Sequence, residues 1–231
     1  MTRFGAVIFD LYETLITEFD PHWRPRPTPA EQLGIPAEVF ERVWRARQRD
    51  RMTSALDFRD VLREACRAAG VPPDPRTVES LDAERRATKA RSVTTADAEV
   101  VGALRELRAS GLRLGVVSNC AVEEVAGWPD SPYRELFDDV VFSFRAGVAK
   151  PDRAIYRLAC RNLGTPPGRT AFVGDGGSDE LAGAEAAGLT AFRARWFIDR
   201  WPPEIRRHHP IEGFPTLTTP AATVRVLNQD R

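Results

Sequence analysis

The sequence predicts an α/β protein: a doubly wound parallel sheet with helices on both faces and a helical segment inserted early. Three observations predict it. Short apolar runs recur along the chain, helical patterns separate the later ones, and about 100 residues part the first run from the second, far more than one crossover uses. The apolar runs at residues 6–9, 112–117, 140–144, 170–173 and 190–193 read as buried strands. Helical patterns cover residues 97–109, 153–163 and 178–187. This alternation is that of parallel strands joined by crossover helices. Ser178, followed by Asp179 and Glu180, is expected to cap the last helix.

The long gap has its own organisation. It opens with Pro21-His22-Trp23-Arg24-Pro25-Arg26-Pro27-Thr28-Pro29 and continues with amphipathic patterns at 38–53, 58–69 and 78–90. Gly70-Val71-Pro72-Pro73-Asp74-Pro75 breaks the last two. The expected arrangement is a helical cap over residues 17–92 and a core made of 1–16 and 93–231. An insertion rooted beside the first strand is placed to close over a site there.

Composition excludes several classes. Thirty-three basic and 33 acidic residues balance, so nothing favours nucleic acid or an anionic membrane as partner. The first apolar run is cut short by Asp10, and no later one approaches the ~20 residues of a membrane helix. Cytoplasm is the expected location, and a monomer or a homodimer the expected assembly. Cys66, Cys120 and Cys160 leave an odd count without C-x-x-C spacing and read as isolated reduced thiols. His22, His208 and His209 lack metal-ligand spacing.

The first strand ends on a carboxylate, in Ala6-Val7-Ile8-Phe9-Asp10-Leu11-Tyr12-Glu13-Thr14-Leu15. The carboxyl ends of strands are where open α/β sheets place ligands. Three further pieces follow apolar runs in order: Ser118-Asn119, Lys150-Pro151 and Gly174-Asp175-Gly176-Gly177-Ser178-Asp179. A carboxylate nucleophile splits one difficult displacement into two easier ones. Asp10, Asp175 and Asp179 gathered at one sheet edge would repel unless a divalent cation sat among them, and hard oxygen donors suit Mg2+. Asp179 equally fits a first-turn helix acid, and Ser118-Asn119 a plain turn. Lys150 is one of two lysines, with Lys89, so 33 basic residues less two leaves 31 arginines. A lysine in so arginine-rich a chain marks a place for a compact charge.

These four pieces, in this order, resemble the haloacid dehalogenase-like hydrolase superfamily in its helical-cap form, over essentially the whole chain. The resemblance implies a Rossmann-like core, Asp10 as nucleophile, and Ser118 and Lys150 as phosphoryl-binding groups. It also implies Mg2+ held by Asp10, the backbone carbonyl of Tyr12, Asp175 and Asp179. Family phosphatases usually carry a second Asp as acid and base where this chain has Tyr12. Members with Tyr there resemble the 2-haloacid dehalogenases, which lack the Gly-Asp pair and work without metal. Glu13 replaces the glycine usual in both groups. With Gly174-Asp175 and Asp179 weighed above Tyr12, the expected function is a Mg2+-dependent phosphatase acting on a small anionic, phosphorylated metabolite through an aspartyl-phosphate at Asp10, with Tyr12 as an unusual proton donor. The alternatives are a metal-independent 2-haloacid dehalogenase forming an ester at Asp10, and a weakly active binding protein.

Asn119, Arg45 and Arg49 complete the candidate set as substrate-binding residues. Arg42, Arg45 and Arg49 share a helical face, which is either an electropositive lid or a solvated surface. Trp196, Phe197 and Trp201 are expected to pack, and Arg206-Arg207-His208-His209 to lie on the surface.

Overall fold

The computed structural model describes residues 3–22, 24–206 and 213–228. Parallel strands β1 (Ala6–Phe9), β2 (Arg113–Ser118), β3 (Asp139–Phe142), β4 (Thr170–Gly174), β5 (Thr190–Ala194) and β6 (Thr216–Leu217) form one sheet in the order β3-β2-β1-β4-β5-β6. Between β1 and β2 run α1 (Pro29–Leu33), α2 (Ala37–Ala46), α3 (Gln48–Thr53), α4 (Phe58–Ala68), α5 (Pro75–Thr94) and α6 (Ala98–Ala109). After β3 come α7 (Ser143–Ala146), α8 (Arg153–Asn162), α9 (Glu180–Ala186), α10 (Pro203–Arg206) and α11 (Pro220–Asn228). The fold is the Rossmann-like doubly wound sheet that the sequence predicts. Among the described residues no helix is long and apolar enough to cross a membrane.

The strands read as continuous apolar runs because both faces are covered. Val7 and Phe9 join Leu114, Val116, Ala171 and Val173 in one core, closed by Val100, Leu104 and Leu107 of α6 and Leu227 of α11. Ala6 and Ile8 join Val117, Phe172 and Ala191 in the other, closed by Ile155 and Tyr156 of α8 and Leu181 and Ala184 of α9. Each large side chain so buried contributes about 1.5–3 kcal/mol.

Strand order places the site. The chain fills one side of β1 with β2 and β3, then crosses to the other side to lay down β4. Crevices open where strand order reverses in this way. Phe9 is in register with Val116 on one side and Val173 on the other. Asp10, donating its N–H to the Val173 carbonyl at 2.9 Å, therefore emerges between the ends of β2 and β4.

Helices α1–α5 enclose a core of their own, with Leu33, Val43, Phe58, Val61, Leu62, Val78 and Leu81. Helix α5 continues to Thr94, and Val93 already packs in the sheet core. The pattern at 38–53 is broken at Arg47, which separates α2 from α3 and pairs with Glu64 at 2.9 Å. The third strand stops at Phe142, because Ser143 Oγ turns back to accept the Cys120 N–H at 3.0 Å and α7 begins. Strand β6 was not foreseen, since two residues carry no readable period. Beyond Arg206, the expected surface cluster Arg207-His208-His209 lies outside the described residues.

Asp57 caps α4, accepting the Arg59 N–H at 2.8 Å. Hydrogen bonds from Arg59 pull its carboxyl down to about 2. Asp57→Ala is expected to cost about 1 kcal/mol of stability near neutral pH. The folded value lies below the unfolded one of about 3.9, so this contribution fades as pH falls from about 4 toward 2. Urea unfolding of both proteins across that range checks it; a constant gap would assign the loss to something other than the charged cap.

Candidate active site

The buried carboxylate of Asp10 meets a buried ammonium. Lys150 Nζ donates to Asp10 Oδ1 and also to Glu180 Oε2. The lysine backbone is held by one side chain. Asn119 Nδ2 donates to the Lys150 carbonyl at 2.9 Å, and the Lys150 N–H donates to Asn119 Oδ1 at 2.7 Å. Asn119, expected to bind substrate, spends both ends of its amide on positioning Lys150. The peptide to Pro151 is cis.

Helix α9 supplies the third member, and it is not the expected one. Asp179 is exposed, while Glu180 is buried against Lys150. Asp10, Asp175 and Glu180 each offer a carboxylate oxygen within 4.8 Å of the others. Glu180 therefore stands where the sequence analysis put Asp179. The cause is the loop. Gly176, Ser178 and Asp179 take φ of 102°, 55° and 53°, so Ser178 does not cap the helix. Left-handed backbone costs Ser178 and Asp179 about 1–2 kcal/mol each. It lets Gly176 N–H reach Glu180 Oε1 at 2.9 Å and Gly177 N–H reach Asp175 Oδ1 at 3.1 Å. One cue was present: Glu180, Ala184 and Ala187 are spaced i, i+4, i+7, the stripe that buries one face of a helix.

Two glycines make room for this. A Cβ on Gly174 would lie 2.1 Å from Glu180 Oε1, and one on Gly183 would lie 2.7 Å from the Pro151 carbonyl. Helix α9 can thus press against both the end of β4 and the lysine loop. Tyr156, unremarked in the sequence, donates its hydroxyl to the Glu180 carbonyl at 2.7 Å.

The haloacid dehalogenase-like hydrolase family model matches residues 4–188. The chain belongs to the haloacid dehalogenase-like hydrolases. It is 29% identical to an (S)-2-haloacid dehalogenase of Pseudomonas putida over 209 residues, covering 85% of each chain. It is 32% identical to a glyceraldehyde 3-phosphate phosphatase of Methanopyrus kandleri over 130 residues, 56% of this chain and 55% of that one. A solved L-2-haloacid dehalogenase, RSc1362, superposes with a TM-score of 0.60 at 26% identity, covering 98% of this chain and 99% of the other.

The remaining candidates of this family member divide. Ser118 Oγ, at the end of β2, is buried and has no hydrogen-bond partner among the described residues, so its donor is available to a ligand. Tyr12 is committed elsewhere. Its hydroxyl donates to the Glu124 carbonyl at 2.8 Å. Burial, then Glu124 and Glu18, push the phenol far above its ordinary value. A hydroxyl so engaged and so raised is poorly suited to acid catalysis. Arg45 and Arg49 line a cavity of about 710 Å³ between α2–α3 and the loops bearing Asn119, Lys150 and Ser178. Arg45 also pairs with Glu41 at 3.4 Å. Trp196 and Phe197 are buried in the sheet core, and Trp196 Nε1 donates to the Thr14 carbonyl at 2.8 Å, bracing the loop that follows Asp10. Cys120 is buried, which pushes its thiol up and leaves it inert.

Charge decides how the cluster behaves. Burial pushes the Asp10 carboxyl up; Lys150 opposes this and Asp175 adds to it. Burial and Asp10 push Glu180 up further still. Burial would lower Lys150, but Asp10 and Glu180 outweigh it and keep the ammonium charged. Lys150→Met would strand two buried carboxylates, an expected loss of about 3–5 kcal/mol near neutral pH. Their folded pKa values, already raised, would rise further, so the variant regains stability as pH falls and they protonate. Urea unfolding at about pH 8 and pH 5 reads this, and a deficit independent of pH would contradict the charge account.

Proposed function

We propose that this protein is a hydrolytic 2-haloacid dehalogenase that works through an ester at Asp10. The observation that carries the reading is the double engagement of Lys150: the nucleophile has a countercharge supplied by the chain itself. A carboxylate oxygen of Asp10 attacks the carbon bearing the halogen. The carbon–halogen bond breaks and its electron pair leaves as halide. Water then attacks the Asp10 carboxyl carbon, the bond from that carbon to the ester oxygen breaks, and a 2-hydroxy acid departs. An adjacent carboxylate takes one proton of the water and passes it to the departing alkoxide oxygen, and the second proton of the water is released to solvent as the Asp10 carboxylate re-forms. Halide needs no proton on leaving, which agrees with a Tyr12 hydroxyl already spent on Glu124. Arg45 and Arg49 in the cavity wall give the substrate carboxylate a complementary field. The long match to dehalogenases supports the reading, and their printed names make the (S)-2-haloacids the first substrates to try.

A second reading rests on the acidic group. Asp10, Asp175 and Glu180 are three buried carboxylates with oxygens close enough to share one cation, and such donors fit Mg2+. Bound there, the ion would neutralise charge on a phosphoryl group. In that reading Asp10 would still be the nucleophile, and Ser118 would donate to a phosphoryl oxygen.

Chloride release from (S)-2-chloropropionate and phosphate release from an aryl phosphate, each with Mg2+ and with EDTA, separate the two. The expected result is chloride release indifferent to EDTA and reduced by about three orders of magnitude or more in Asp10→Asn. Phosphate release that needs Mg2+, with no chloride release, would establish the second reading instead.

A further inference from the structure

The turn Val122–Val125 carries two adjacent carboxylates that bind the helical insertion to the core. Glu123 is 0% exposed and Arg51 of α3 is 3% exposed. Arg51 Nη2 donates to Glu123 Oε1 at 2.6 Å, and Arg85 Nε of α5 donates to the same oxygen at 2.9 Å. Arg85 Nη2 donates to Glu124 Oε1 at 2.6 Å. The Arg51 guanidinium lies 3.7 Å from the centre of the Trp44 ring, a stacking that fixes its plane. Lys89, the second lysine of the chain, pairs with Glu18 at 2.7 Å and lies 5.1 Å from the centre of the Tyr12 ring.

The same turn reaches into the site. Glu124 Oε2 accepts the Ala121 N–H at 2.9 Å, two residues after Asn119, and the Glu124 carbonyl holds the Tyr12 hydroxyl. On the other side of the cluster, α3 puts Gln48, Arg49, Met52 and Thr53 into the cavity wall. Arg51 lies within that same helix and points away to Glu123.

We infer that Glu123 is a positioning residue: through Arg51 it sets where α3 presents Arg49, Met52 and Thr53 to the substrate. Glu124 completes the arrangement by tying the turn to the loops of Asp10 and Asn119. The cavity wall and the nucleophile are thus referred to one fixed point. Burial would raise the Glu123 carboxyl, but Arg85 and Arg51 hold it below its usual range. Glu123 Oε2 and Arg51 Nε are buried without a hydrogen-bond partner among the described residues. Unpaired buried polar atoms detract from stability, so the cluster is a poor source of stability and a good source of direction. A buried ion pair can often be replaced by apolar residues of similar volume without loss of stability, so stability and position can be tested separately here.

The kinetic part of the test rests on the dehalogenase reading; the exchange part does not. Glu123→Gln and the double variant Arg51→Met/Glu123→Leu are compared with wild type by backbone hydrogen exchange and by kinetics on (S)-2-chloropropionate. In Glu123→Gln, exchange over residues 48–53 is expected to quicken about tenfold or more, with the strands unchanged. KM is expected to rise about tenfold with kcat within about twofold, the signature of lost uniform binding. The double variant is expected to recover the unfolding midpoint while keeping fast exchange at 48–53 and a raised KM, and it carries the test alone if the single variant does not fold. Unaltered exchange at 48–53, or KM recovering together with stability, would overturn the inference. Absence of chloride release from wild type would refute the functional reading and leave exchange to decide this one.

Discussion

The site depends on one cation. Three carboxylates, Asp10, Asp175 and Glu180, are buried at the switch point of the sheet, and burial there pushes the Asp10 and Glu180 carboxyls up, against their charged forms. Lys150 supplies it, and much of the local architecture keeps Lys150 where it is. Asn119 clamps its backbone, Gly183 lets α9 pack on Pro151, and Gly174 opens the space that Glu180 fills. Even the left-handed pair Ser178 and Asp179 serves this end, by turning the chain so that Glu180 faces inward.

This arrangement changes the balance between two chemistries that the family supports. Read as residues in a line, the acidic motif favours a divalent cation, because extra carboxylates in one place are costly. Read in three dimensions, two of the three acids already share an ammonium. An Asp10 carboxylate compensated in that way is suited to attack on a neutral carbon centre, where the reacting group itself carries no charge. The fate of the Tyr12 hydroxyl agrees. It is bound to a carbonyl and raised in pKa, so it helps a leaving group that needs a proton very little.

Much of this was legible in the sequence, for a definite reason. Asp10, Ser118 and Asp175 sit at strand ends or just beyond them, and buried strands announce themselves as apolar runs. The adjacency of β2, β1 and β4 brings these three together, whereas Lys150 reaches them from the loop after α7 through the Asn119 clamp. What stayed hidden depends on geometry that periodicity does not encode. Glu180 replaced Asp179 because two residues adopt left-handed backbone. Asn119 clamps Lys150 because its amide matches a backbone 31 residues away, while it also lines the cavity. The join between Arg51 and Glu123 spans 72 residues, and no local pattern connects them. The short strand β6 and the break at Arg47 were lost for a simpler cause, since neither lasts a full period.

The central claim is that Asp10, held by Lys150, is the group that attacks. A single turnover of (S)-2-chloropropionate in heavy-oxygen water, with enzyme in excess, tests it most directly. Attack by Asp10 predicts a 2-hydroxy acid free of label and one heavy oxygen in the peptide that carries Asp10. Labelled product with an unlabelled Asp10 peptide would mean that water attacks the substrate directly, and would contradict the account.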